Sequence, residues 1–104
     1  MGDELNITCN ADGNTVTYVL EGNLSTISSP YLEDEVATLD DSVINIDVDV
    51  TNLDYISEEG FDTLQKIQND LSARGGKLRI LHPNDFLADI IDDLGLKDIF
   101  EIVE

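Results

Sequence analysis

Four of the five carboxylates between positions 47 and 59 are the residues whose types and spacing best suit chemistry. Asp47 and Asp49 alternate with apolar residues, and Glu58 and Glu59 follow after a short polar segment. Hard cations such as Ca²⁺ bind clusters of carboxylate oxygens, so a metal site is one interpretation. However, the spacing matches no calcium-binding loop, and the alternation places both aspartates on an open sheet face. We therefore interpret the four as a solvated acidic surface and expect no metal or other cofactor.

The other reactive side chains do not form a catalytic set. Cys9 is the only cysteine, and because it is in phase with Leu5 and Ile7 we expect it to be buried and structural. His82 lies in a turn and has no residue nearby in sequence that would form a catalytic pair with it. Gly75–Gly76 follows a helical pattern, where we predict a glycine stop for the helix, and it lacks the spacing of a phosphate-binding loop. We therefore predict that the chain is not an enzyme.

A strand, a loop and a helix between Val43 and Phe61 must position the four carboxylates. Residues 43–50 alternate, which predicts a strand with one buried and one wet face. Residues 51–54 are predicted to be a polar loop. Ser57 is the predicted N-cap of a helix, and its first turn holds two acidic residues, where the helix dipole favours negative charge. The apolar face of this helix is predicted to be Phe61, Leu64, Ile67 and Leu71.

The N-terminal part of the chain reads as a hairpin followed by a helix. Residues 5–9 and 15–21 alternate, and Asp12-Gly13 between them is a strong hairpin signal. A loop is predicted over residues 22–25. Ser28 or Ser29 should then cap a helix with Pro30 in its first turn, a position that needs no backbone donor. Its buried face is predicted to be Leu32, Val36 and Leu39.

The C-terminal part continues the alternation of strands and helices. Residues 77–81 form a predicted strand, residues 96–100 a short helical turn, and residues 102–103 a last strand. The third helix has apolar positions at Phe86, Leu87, Ile90, Ile91 and Leu94. Alternating strands and helices indicate an α/β fold with a mostly parallel sheet. Because its strands alternate, we expect the helices to pack on one face.

These patterns predict both faces of the sheet. Asp47 and Asp49 should lie beside Lys77 and Arg79 on the wet face. The buried face is predicted to centre on Ile46, Val48, Phe61, Leu64, Ile80, Phe86 and Ile90.

Composition limits the class of protein and the partners it can bind. The chain has 104 residues, which is the size of one domain, and we predict a single domain over residues 1–104. It carries 23 acidic and 5 basic residues, for a net charge of −18, and residues 1–65 contain no Lys or Arg. Such a surface repels phosphate backbones, so direct nucleic-acid binding is not expected. The acidity is explained equally well by solubility in a salty cytoplasm and by an acidic face for a basic protein partner. We expect a cytoplasmic protein without a membrane segment or signal peptide.

Three local signatures resemble the STAS domain family of bacterial anti-sigma factor antagonists. Residues 20–24 are similar to the family's strand and Gly-x-Leu-Asp loop, and residues 46–61 to its strand, loop and Asp-Ser-Ser-Gly-Leu segment. Residues 86–103 are similar to its closing helix, Gly-Leu, aromatic residue and short strand. The resemblance covers nearly the whole chain and implies the same α/β fold.

The resemblance also implies a function through binding. Family members of this type bind an anti-sigma factor that is also a serine kinase, and phosphorylation of a serine two residues before the motif's glycine releases them. In this chain that position is Glu58, which has no hydroxyl to phosphorylate. Asp49 matches the acidic residue that ends the central strand, whereas Ser25 and Ser57 replace aspartates and Glu59 replaces a frequent serine. The implied partner-binding residues are Ser25, Asp49, Ser57, Glu58, Glu59 and Phe61.

Two functions stay open at this point. The first is a transcription regulator that binds an anti-sigma factor or serine kinase, in which the usual phosphorylation switch is doubtful at Glu58. The second is a STAS-like scaffold or ligand-binding subunit of a stress-sensing, lipid-transport or other transporter complex. A homodimer is compatible with either, and Ser57 is a second candidate acceptor for phosphate.

Overall fold

A computed structural model describes residues 5–103 of the chain. The strands are β1 (Leu5–Asp12), β2 (Thr15–Leu24), β3 (Asn45–Ile56), β4 (Lys77–Leu81) and β5 (Glu101–Val103). The helices are α1 (Ser29–Ala37), α2 (Glu58–Ala73) and α3 (Asp85–Asp93), with a short 3₁₀ helix at Leu96–Asp98. The strands form one sheet in the order β1-β2-β3-β4-β5, in which β1 is antiparallel to β2 and all other pairs are parallel. This confirms the predicted α/β class, hairpin and mostly parallel sheet.

A tight turn joins β1 to β2. Asp12 pairs with Thr15 across the two-residue connection Gly13–Asn14, and Gly13 has φ of +64°. A glycine at the first central position is the signature of a type II′ turn, whose twist suits a hairpin. The backbone carbonyl of Asn14 then accepts hydrogen bonds from the amides of Ile44 and Asn45. The hairpin turn therefore also holds the start of β3.

The buried face of the sheet follows the predicted alternation. The alternate apolar residues of β2, β3 and β4 face the helices. Val16 and Tyr18 pair with Ile46 and Val48, which pair in turn with Leu78 and Ile80. Buried side chains on this face include Val16, Tyr18, Leu20, Ile46, Val48, Leu78 and Ile80. Helix α2 adds its four predicted apolar residues to the same core, all of them buried.

The opposite face is polar, as predicted, but its ion pairs differ from the prediction. Arg79 donates two hydrogen bonds to the carboxylate of Asp47, with distances of 2.7 and 2.6 Å. Lys77 instead pairs with Glu101 of β5 at 2.9 Å. Asp49 accepts hydrogen bonds from Thr51. The predicted Asp47–Arg79 neighbours are therefore confirmed, while Lys77 pairs with a residue of β5 and not with either aspartate.

Two predicted loops are parts of strands. Residues 51–54 belong to β3, and residues 22–24 belong to β2. The register between these strands shifts twice, between Val19 and Glu21 and between Gly22 and Asn23. Each bulge inserts an extra residue and breaks the two-residue periodicity. The alternation of apolar and polar residues is therefore lost in these segments although both strands continue.

Three predicted core positions are exposed. Phe86 and Leu94 of the third helical segment are 54% and 49% exposed, whereas Leu87 and Ile91 are buried. Helix α3 has only nine residues, and only one side of it meets the core. Cys9 is also exposed, although it pairs with Tyr18, which is fully buried. The reason is that β1 is the edge strand, so that much of its helix-facing side is left open to solvent.

A glycine permits a close approach between the start of β4 and the segment preceding β3. A Cβ atom on Gly76 would collide with the backbone carbonyl of Ile44. Gly75 has φ of +83° and follows the end of α2, so it is the predicted glycine stop. Of these two roles, the helix stop at Gly75 was predicted from the sequence and the close approach at Gly76 was not. None of the helices formed by residues 5–103 is long and apolar enough to cross a membrane.

Candidate functional site

The N-terminus of α2 is formed as the sequence predicted. The Ser57 hydroxyl accepts a hydrogen bond from the Gly60 amide at 3.1 Å, which makes Ser57 a true N-cap. The backbone amide of Ser57 donates to the carbonyl of Leu24 at 2.9 Å, so the N-cap is also bonded to the end of β2. Glu58 and Glu59 occupy the first turn and are exposed. The helix end therefore presents two carboxylates to solvent.

Gly60 lets this helix end lie against the sheet. A Cβ atom there would sit 2.7 Å from the carbonyl oxygen of Leu24 and 2.9 Å from the Cγ2 atom of Ile56. Both distances are too short for a side chain. The glycine of the motif is therefore required by packing, and it sets the position of Glu58 two residues before it.

The neighbouring β2–α1 loop is held by serine side chains. The Ser28 hydroxyl is fully buried, donates to the carbonyl of Asn23 at 2.7 Å and accepts from the amide of Ser25 at 2.8 Å. The Ser29 hydroxyl donates to the carbonyl of Ser25 at 2.6 Å. Ser28 occupies the N-cap position of α1 but makes no capping hydrogen bond with its side chain. These hydroxyls satisfy backbone groups of the loop and so give it one conformation.

Glu59 connects the two segments. Its pKa lies below the ordinary value, first because its own backbone amide donates to the carboxylate and then because the Thr26 hydroxyl does. Hydrogen bonds to the ionised form favour that form. The β2–α1 loop and the start of α2 are thus adjacent, and Glu59 is the charged residue between them.

Exposed apolar side chains lie in the segments next to this helix end and in α3, which contacts one of them. Tyr55 and Phe86 are 44% and 54% exposed, and their ring centroids are 6.3 Å apart. Ile27, beside Thr26 in the loop, is 62% exposed. We call Ile27, Tyr55, Glu58, Glu59 and Phe86 the α2 N-terminal surface. Glu58 also lines a shallow cleft together with Leu94.

The other predicted site residues differ in position and exposure from this surface. Asp49 lies on the opposite face of the sheet, because its neighbours Val48 and Val50 are in the core. Burial disfavours its ionisation, but the two hydrogen bonds from Thr51 outweigh this effect and hold its pKa below the ordinary value. Phe61 is only 4% exposed and packs in the core. Ser25 lies within the serine-rich loop and is partly buried. Their roles in partner binding stay predictions.

The four carboxylates that first suggested a metal site are used in different ways. Asp47 is paired with Arg79, and Asp49 with Thr51. Glu58 and Glu59 are in the first turn of α2. Over residues 5–103, no three side chains of His, Cys, Asp or Glu are grouped so that they could hold a metal ion.

Sequence reasoning missed two features of the site. It assigned Phe86 to the core, whereas the ring lies outside and contacts Tyr55. It placed Asn84 in a turn, whereas the Asn84 side chain caps α3 by accepting from the Leu87 amide at 2.8 Å and donates to the carbonyl of Leu53 at 3.4 Å. An Asn immediately before an apolar helical pattern is a signal that could have identified this cap.

Solved structures with a similar fold include anti-sigma factor antagonists. The phosphorylated form of the Bacillus cell fate determinant SpoIIAA is 17% identical, with a TM-score of 0.75, 95% of this chain covered and 92% of that one. An anti-sigma factor antagonist from Mycobacterium paratuberculosis is 16% identical, with a TM-score of 0.85, covering 99% of this chain and 88% of that one. A STAS domain antisigma-factor antagonist from Rhodobacter sphaeroides is 19% identical, with a TM-score of 0.56, covering 77% of this chain and 88% of that one. At these identities the similarity shows the fold alone.

The sequence itself carries the family assignment. No curated protein matches the chain. The model of the STAS domain, however, matches residues 6–104, which is nearly the full length and includes the strand, the capped helix end and the closing segment described above. The chain therefore belongs to the STAS domain family.

Proposed function

We propose that the chain is a non-enzymatic regulator that binds a protein partner through the α2 N-terminal surface, in the manner of an anti-sigma factor antagonist. The observation that carries this proposal is the combination found at one helix end, where exposed aromatic and aliphatic side chains border two exposed carboxylates. Exposed apolar groups next to charged ones are typical of protein-binding surfaces. The similar solved structures described as anti-sigma factor antagonists support the class of partner.

The charges of the surface favour a basic partner. Four of its five residues lie in the part of the chain that contains no Lys or Arg. An acidic surface attracts a basic one and raises the rate of encounter. The aromatic pair Tyr55–Phe86 would then supply the apolar contact area that holds the complex together. The proposed partner is therefore an anti-sigma factor or serine kinase with a basic, partly apolar docking face.

Glu58 cannot take part in the usual phosphorylation switch. A phosphoserine at a helix N-terminus carries nearly two negative charges and three acceptor oxygens, whereas a carboxylate carries at most one charge and two oxygens. Glu58 is exposed at the matching position and cannot accept phosphate. We therefore propose that binding is regulated by protein abundance or another signal rather than by phosphate at position 58.

In the first step of the test, the full chain is used to capture its partners from the native cell, and mass spectrometry identifies the captured proteins. The captured protein is then produced and its affinity for variants is measured by calorimetry. Phe86→Ala and Glu58→Arg should each weaken binding by at least about tenfold, as expected for contacts at the centre of an interface. Asp70→Arg makes the same charge change twelve residues later on α2, and it should leave the affinity nearly unchanged.

Two results would contradict the proposal. One is a captured anti-sigma factor whose affinity is the same for all three variants, which would place the binding surface elsewhere. The other is specific capture of transporter subunits without any anti-sigma factor or kinase, which would favour a scaffold or ligand-binding role instead.

A further inference from the structure

Among residues 5–103, no strand pairs with the outer side of the edge strand β1. It pairs with β2 on one side only, and its register with β2 is unbroken over all eight residues. Proteins usually protect such an edge with a charge, a proline, a bulge or a very short strand. Residues 5–11 contain no charged residue and no proline. The opposite edge, β5, has three residues and begins with Glu101, so it is short and charged.

The hairpin determines which backbone groups of β1 point outward. The turn hydrogen bond joins Asp12 to Thr15, and inward and outward groups alternate along an antiparallel strand. Asp12, Asn10 and Thr8 therefore bond to β2. The amides and carbonyls of Ile7, Cys9 and Ala11 face away from the sheet. A second strand could bond to all three of these residues.

From this geometry we infer that two copies of the chain associate by antiparallel pairing of their β1 strands, about a two-fold axis at Cys9. In this register each outward-facing residue meets an outward-facing residue, with Cys9 opposite Cys9 and Ile7 opposite Ala11. Asp12 meets the uncharged Asn6. The two five-stranded sheets become one continuous sheet of ten strands, with all helices on the same face.

The β1 edge is the place where two copies can meet with little charge repulsion. Each copy has a net charge of −18, so most approaches between copies are repulsive. Residues 5–11 add no charge to the contact, and Asp12, opposite Asn6 at each end, is the one charged residue of β1. Association should therefore strengthen as salt screens the remaining repulsion, because the screening length falls from about 10 Å at 0.1 M to about 3 Å at 1 M. The pairing lies on the β1 edge and leaves the α2 N-terminal surface accessible.

Cys9 offers a direct probe of the register. It is exposed, and in an antiparallel hydrogen-bonded pair the two Cα atoms are about 5.5 Å apart, within the range that a disulfide spans. Diamide would oxidise the two Cys9 thiols to one disulfide, taking up two electrons and two protons as it becomes the hydrazine. The reagent is used only to trap the pair.

The experiment combines sedimentation equilibrium with trapping. The wild-type chain should show a monomer–dimer equilibrium that shifts toward dimer between about 0.1 and 1 M NaCl. Cys9→Ser should associate equally well but give no covalent dimer. Cys9→Lys places two like charges opposite each other and should weaken association about fivefold or more. Ser72→Lys adds the same charge on the exposed end of α2, so it should leave association unchanged or strengthen it.

A second cysteine controls for random collision. Cys9→Ser combined with Ser72→Cys carries one exposed thiol away from the edge, and it should be trapped much more slowly than the wild-type chain. Equal trapping rates, a monomer in 1 M NaCl at every concentration, or the same affinity for the Cys9→Lys and Ser72→Lys variants would each overturn the proposed dimer.

Discussion

Arg79 holds Asp47 by two parallel hydrogen bonds across adjacent strands, and Asp47 is the one buried charged residue in the part of the chain that the structure describes. The fork of the guanidinium matches the two carboxylate oxygens. The hydrogen bonds and the charge of Asp47 raise the pKa of Arg79. Arg79 also lies 3.8 Å from Glu101, so the pair is part of a row of charges that continues to Lys77.

The first prediction concerns the unequal contributions of these two bases. Arg79→Ala leaves the Asp47 carboxylate buried without its partner and should lower the free energy of unfolding by about 1–3 kcal/mol. Lys77→Ala removes a more exposed pair and should cost about 0–1 kcal/mol. Urea denaturation of both variants measures the difference. Equal losses would mean that burial of Asp47 has no energetic consequence.

The second prediction separates the core from the docking surface. Ile46 is 1% exposed, so Ile46→Ala should cost about 2–5 kcal/mol through lost packing and the cavity left behind. Phe86→Ala truncates an exposed ring and should cost less than about 1 kcal/mol. Thermal unfolding of the two variants is the measurement. A large loss in Phe86→Ala would indicate that the sequence-based placement of this ring in the core was closer to the truth.

The third prediction concerns Ser57 as a substitute acceptor for phosphate. Its hydroxyl caps α2, so Ser57→Ala should destabilise the chain by about 0.5–2 kcal/mol. Because the capping role occupies the hydroxyl, Ser57 should carry no stoichiometric phosphate in the native cell. Phosphopeptide mass spectrometry tests this directly. Full occupancy at Ser57 would restore a phosphorylation switch one residue from the family's position.

The fourth prediction concerns the pH dependence due to Asp49. Its pKa is lowered in the folded chain, so the folded state binds fewer protons at this site than the unfolded state. The contribution to stability is fully present above the unfolded pKa of about 3.9 and is lost as the pH falls through the lower, folded value. Thr51→Val removes the hydroxyl donor and should raise the carboxyl pKa, measured by carbon NMR titration.

Asp70→Asn serves as the matched control for the same titration. It removes a carboxylate from α2 on the other side of the molecule, so it should leave the Asp49 titration unchanged. A titration of Asp49 that is identical in the wild-type chain and in Thr51→Val would show that the hydroxyl does not stabilise the carboxylate.

The sequence by itself determined the local elements and the fold class. Alternation in β2, β3 and β4 identified the side chains that are buried, and Ser57 and Gly75 marked the two ends of α2. These features depend on residues close together in the chain. Periodicity and capping chemistry are therefore sufficient to predict them. The position of Glu58 at a helix start was predictable for the same reason.

Only the tertiary structure decided what covers each apolar residue. Cys9 is in phase with the core but lies on an edge strand, and Phe86 follows a helical pattern but turns its ring toward Tyr55 and solvent. Gly60 and Gly76 are required because backbone distant in sequence passes too close for a Cβ atom. A periodic pattern identifies a face without showing whether another element packs on it. That depends on which segments meet in space. Here the segments that meet form the surface at Glu58, and no strand of the described residues pairs with the outer side of β1 at Cys9.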